Sequence, residues 1–152
     1  MECRIDLSFT SDDSFWVAGL PRKADRTAWD AQLQRWWQRF AEVDGARWQR
    51  LLQECVFEAS TLKPGVVDAE YSATSISVTL DTGSEGIALA PGLVSLLHTA
   101  GCHTIEALLF TDEAESIIDD QGKRHFTGER YYVGDDGRTM VSDYPEVEYL
   151  DE

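Results

Sequence analysis

All five tryptophans of this 152-residue chain, Trp16, Trp29, Trp36, Trp37 and Trp48, lie within its first 48 residues, and four of them recur at helical spacing. Trp29, Leu33, Trp36, Trp37 and Phe40 fall within an arc of about 100° on a helical wheel, the width of a core-facing stripe. Such a stripe requires a helix and a second layer to cover it. Thr27 and Asp30 are spaced as a capping box at its start. Asp44-Gly45 interrupts the pattern, and Trp48, Leu51, Leu52, Cys55 and Val56 resume it on a second helix of about three turns. Core packing therefore claims these tryptophans ahead of a stacking platform for a sugar or a base, with Trp16, in a loop, the freer one.

Elsewhere the period is two. Ile5, Leu7 and Phe9 alternate with Arg4, Asp6 and Ser8, which predicts a strand over Arg4 to Thr10. Ile76, Val78 and Leu80 alternate in the same way, and Asp81-Thr82-Gly83-Ser84 followed by Ile87 to Leu89 reads as a β-hairpin. Pro91 marks the start of a short helix that ends at Gly101, and His103 to Phe110 reads as a buried strand. Ile117-Ile118 and His125 to Val133 lead into the turn Gly134-Asp135-Asp136-Gly137, with Arg138 to Asp143 returning as a partner strand. The length supports one core. The expected fold is α+β over 1–152: a mainly antiparallel sheet of five or six strands, with two amino-terminal helices packed on one face.

Charge divides the chain near Pro64. Residues 1–63 carry 9 Lys and Arg against 10 Asp and Glu, while residues 64–152 carry 4 against 18, so nearly all of the net −15 is carboxyl-terminal. That balance disfavours nucleic acid and anionic membrane surfaces and favours a basic protein partner. No apolar run approaches the roughly 18 residues of a membrane helix, and the amino terminus MECRIDLSFT lacks a basic region followed by an apolar stretch. Three cysteines without a CxxC pair suit a reducing compartment, and the expected location is cytoplasmic.

No motif specifies catalysis. Val78-Thr79-Leu80-Asp81-Thr82-Gly83-Ser84 is written like an aspartic protease loop, but that chemistry needs two aspartates sharing a proton and the chain has one such loop. A hairpin turn is the plainer account. His98, Cys102 and His103 are ligand types that zinc prefers, yet Gly101 ends the helix between them and no fourth ligand is near. The carboxylates at Asp112, Glu113, Glu115, Asp119, Asp120, Asp135 and Asp136 lack calcium-loop spacing. No cofactor and no metal are expected. Arg35, Arg39, Arg47 and Arg50 sit off the apolar stripes and answer either the acidic part or solvent.

Binding is the function with most support in the sequence. Tyr131 and Tyr132 stand beside Asp135 and Asp136, and Tyr144 and Tyr149 beside Glu146 and Glu148, with Asp119 and Asp120 nearby in the chain. Aromatic anchors supply binding energy and carboxylates supply steering toward a Lys- and Arg-rich surface. In size, acidity and clusters such as YYVGDD and DYPEVEYLDE, the chain resembles the small acidic immunity proteins with which bacteria neutralise toxins. The resemblance implies stoichiometric inhibition of a toxin without chemistry of its own. The alternatives are a small enzyme or ligand-binding domain with its pocket between sheet and helices, and an accessory interaction protein of phage or secretion machinery. Carboxylates serving only solubility are the plainest reading of all.

Overall fold

A computed structural model describes residues 3–21, 25–55, 65–83, 86–111 and 116–144. Strand β1 (Cys3–Thr10) buries Cys3, Ile5, Leu7 and Phe9 and turns Arg4, Asp6, Ser8 and Thr10 to the other face, as its alternation requires. It pairs antiparallel with β3 (Ser75–Gly83) on one side and β4 (His103–Thr111) on the other, so the first strand of the chain is central in the sheet. With β2 (Gly65–Tyr71), β7 (Gly128–Val133) and β8 (Thr139–Tyr144), the order is β2-β3-β1-β4-β7-β8, every neighbour antiparallel. Strands β5 (Ser116–Ile118) and β6 (Arg124–Phe126) form a separate two-stranded hairpin between β4 and β7. Chain 125–133, expected as one strand, is thereby split at Thr127.

Helix α1 (Arg26–Val43) lays Trp29, Leu33, Trp36, Trp37 and Phe40 against the sheet, as their spacing predicts. Its cap is Asp25 and not Thr27: the Asp25 carboxylate accepts from the Ala28 amide at 2.9 Å, satisfying one of the free donors of the first turn. Asp44 ends α1 and its carboxylate caps α2 (Gly45–Cys55) through the Arg47 amide. Trp37 and Trp48 then stack with centroids 5.4 Å apart across the corner between the helices.

Two expectations fail around residue 81. Asp81-Thr82-Gly83 closes β3 and leads to helix α3 (Gly86–Thr99), so Ile87 to Leu89 is helical and no hairpin turn lies there. The hairpin in this region is β2–β3, closed by Ser72, whose amide donates to the Ser75 carbonyl at 2.8 Å. Pro91 lies inside α3 and not at its start. Gly86 is where α3 touches the sheet: a Cβ there would stand 2.6 Å from Cys3 Cβ, so only glycine admits the approach. Gly101, at φ 90°, does end the helix, with the Cys102 amide donating to the Leu97 carbonyl and the Gly101 amide to His98.

The helices are three, α3 joining the two amino-terminal ones, and strand β1 precedes them all. Helices α1 and α3 pack on the sheet and α2 packs on those two helices, with Leu89, Leu93, Leu96 and Leu97 fully buried. Trp16, expected to be free in a loop, is the hub of this core. It is 1% exposed in a short 3₁₀ turn (Ser14–Trp16), and its ring meets Phe9, Phe15, Trp36 and Phe40. Arg35 and Arg39 both stack on Phe15 and Arg39 pairs with Asp13, while Arg47 pairs with Asp44 and also donates to the Ser95 and Thr99 hydroxyls of α3.

Candidate partner-binding face

The face of the sheet opposite the helices is built from the other half of each strand's alternation. Register decides what it shows. On β3 and β1, Asp81 stands opposite Arg4 and Thr79 opposite Asp6, while β2 adds Asp68 and Glu70. On the other half, Leu108 faces Asp6 and Arg130, Phe110 faces Arg4, and Glu106 faces Ser8 and Tyr132. Met140, Ser142 and Tyr144 of β8 continue the rows beside Tyr132, Arg130 and Gly128. The result is two halves: carboxylates over β2, β3 and β1, and a half-exposed apolar and aromatic strip over β4, β7 and β8. Phe110 and Tyr144 meet edge to face at 5.8 Å. Arg130 reaches diagonally to Glu106, Nε to Oε2 at 2.6 Å, and lies over the Tyr132 ring at 4.2 Å.

The residues singled out in the sequence divide among several places. Tyr132 and Tyr144 lie on this open face. Tyr131, one residue away, points to the helix side, where its hydroxyl donates to Glu129 at 2.7 Å. Burial and then that hydrogen bond and the charge of Glu129 push its pKa up to about 12. Asp135 and Asp136 are exposed in the β7–β8 turn, where the Asp136 carboxylate accepts from the Arg138 amide. Asp119 and Asp120 lie in the β5–β6 turn, which Asp119 holds by accepting from the amides of Gln121 and Lys123. Glu146, Glu148 and Tyr149 lie outside the described residues, as does Ser84. The sequence reading missed Asp6, Asp68, Glu70, Asp81, Glu106, Leu108, Phe110, Arg130 and Met140. Their signal was present as the solvent half of each period-2 pattern, but only sheet order brings the halves together.

A cavity of about 330 Å³ opens at one end of this face, lined by His98, Cys102, His103, Thr104, Glu106, Arg130 and Tyr132 among others. A bulge shapes it: two steps of β1, from Ser8 to Thr10, oppose three of β4, from Glu106 to His103, and Thr104 takes φ 51°. Burial pushes the Cys102 thiol up to about 12, which disarms it as a nucleophile at neutral pH. Among the described residues, no group of three His, Cys, Asp or Glu side chains is placed to hold a metal ion. No helix among them is long and apolar enough to cross a membrane. Compared with protein-family models, curated proteins and solved structures, the chain finds no match in any of the three.

Proposed function

We propose that the chain is a binding protein that neutralises a basic protein partner in a stoichiometric complex, in the manner of the immunity proteins it resembles. The observation that carries this reading is the open face, where Phe110, Tyr132, Tyr144 and Met140 sit beside the carboxylates of Asp6, Asp68, Glu70 and Asp81. Aromatic groups that are partly wet supply anchors, and an acidic flank steers a cationic surface onto them. The space between sheet and helices is occupied by Trp16, Trp36, Phe9 and the leucines of α3, so among the described residues a ligand-binding reading would turn to the cavity beside Thr104.

The experiment is recovery of the chain from its native host with whatever it holds. The expected result is a one-to-one complex with a basic protein whose activity is lost on binding. Triple reversal of Asp68, Glu70 and Asp81 to Lys should weaken that complex by about tenfold or more, mainly through slower association that salt no longer modulates. Turnover by the isolated chain, or an unchanged affinity after the reversal, would overturn the proposal.

A further inference from the structure

The two edges of the sheet are not alike. At the β2 edge the register with β3 breaks between Val66 and Asp68, and the extra residue Val67 disrupts the ladder, a device that blunts an edge. At the β8 edge the register with β7 runs unbroken through six pairs, from Gly128↔Tyr144 to Val133↔Thr139. The turn fixes which backbone groups remain free. Gly134 donates to the Arg138 carbonyl at 2.8 Å, so 134 and 138 form a hydrogen-bonded pair. Antiparallel ladders alternate, so the pairs 132 with 140, 130 with 142 and 128 with 144 are also bonded. Thr139, Val141 and Asp143 consequently aim their amides and carbonyls at an edge that no described strand pairs with, and Val141 is 55% exposed beside them.

Charge says what fits there. Glu129 and Asp143 stand directly opposite each other, a like-charge pair that opposes strand pairing. Among the described residues, Arg130 is committed to Glu106 and Arg138 to Asp136, while Glu129, Asp143 and Asp135 have no cationic partner. A second copy of a chain with net charge −15 is repelled from such an edge. We infer that β8 is a docking edge for an extended cationic segment of the partner protein, which adds to the sheet as a seventh strand. Main-chain hydrogen bonds to residues 139, 141 and 143 would hold it, with a Lys or Arg set against Asp143 and Glu129 and an apolar side chain against Val141. The inference rests on the basic-partner reading above and deepens it.

The test uses the full chain and a short blocked peptide in which Lys and Val stand two residues apart with Thr between them, so that both side chains fall on one face of the added strand, at low ionic strength. In the free protein the amides of Thr139, Val141 and Asp143 should exchange quickly and those of Met140, Ser142 and Tyr144 slowly. The peptide should slow the first set by about tenfold or more and leave the second unchanged. Val141→Pro removes an edge donor without touching the β7 ladder and should weaken the peptide about tenfold or more, whereas Val141→Ala should change it less than about threefold. The same peptide N-methylated at alternate residues should also bind about tenfold more weakly, and it decides the matter if the proline variant does not fold. Equal binding of the plain and N-methylated peptides would overturn the edge and leave the basic-partner reading standing. Absence of binding by both this peptide and polylysine would overturn both. Dimerisation of the free chain that Val141→Pro abolishes would show that the edge serves a second copy, against the cationic strand.

Discussion

Thr104 has the one left-handed backbone among the described non-glycine residues, at φ 51°, and it is β-branched, the side-chain type least suited to it. Strain of this kind costs about 1–3 kcal/mol and persists because β1, β4 and the Thr10 hydroxyl bonded to the His103 carbonyl hold the bulge in place. Thr104→Gly is expected to stabilise the protein by up to about 1 kcal/mol, or about 2–4 °C in thermal unfolding, although glycine in a strand ordinarily destabilises. Cys102 and Tyr131 make a second residue-scale prediction. Both are held neutral in the folded protein, with pKa values raised from 9.0 and 10.0 to about 12. Above those ordinary values the unfolded chain has lost protons that the folded one retains, so stability is complete below pH 9 and falls as pH approaches 12. Denaturation midpoints measured across that range should begin to fall near pH 9 in the wild type and nearer pH 10 in Cys102→Ala. None of this was legible in the sequence, because a left-handed threonine and a buried thiol are imposed by neighbours remote in the chain.

Among the elements, the 3₁₀ turn at Ser14–Trp16 depends most on others. The Trp16 carbonyl accepts from Gln32 Nε2 at 2.8 Å and Trp36 Nε1 at 3.1 Å, and Gln32, 2% exposed, also donates to the Phe15 carbonyl. Gln32→Leu leaves buried carbonyls short of donors and should cost about 1–3 kcal/mol in denaturant unfolding. Trp16→Ala removes the ring that meets four others and should cost about 3–5 kcal/mol. Helix α1 was readable from spacing because it is half buried. Helix α3 was misread at its start because its outer face there is apolar too: Ile87, Ala88, Pro91 and Gly92 lie off the buried stripe of Leu89, Ala90, Leu93, Val94 and Leu97, so no polar face sets a helical period. The apolar run Ile87 to Leu89 then looks like a strand. Trp16 was misplaced for the converse reason, since a single aromatic residue in a loop has no periodicity to reveal its burial.

At the scale of the whole molecule, charge opposes compaction and favours association with an oppositely charged surface. Raising ionic strength from about 10 to about 150 mM shortens the screening length from about 30 to about 8 Å. The melting temperature of the isolated chain should therefore rise over that range, while its association rate with a cationic partner should fall. A melting temperature indifferent to salt would mean that the charges are too dispersed to repel, which would also weaken the case for steering.

The sequence by itself determined the local elements whose side chains repeat at 3.6 or at 2 and the acidic sign of the carboxyl-terminal part. Tertiary structure decided that β1 is central, that α3 lies between the sheet and α2, and that Tyr131 and Tyr132 look out from opposite faces. It also set Asp119 and Asp120 in the β5–β6 turn and Asp135 and Asp136 in the β7–β8 turn, and gathered Asp6, Glu70, Asp81, Phe110 and Tyr144 onto one face. The reason is physical. Periodicity is a property of neighbours along the chain, whereas strand order and register are set by pairings across it, and one residue of register turns a whole strand over.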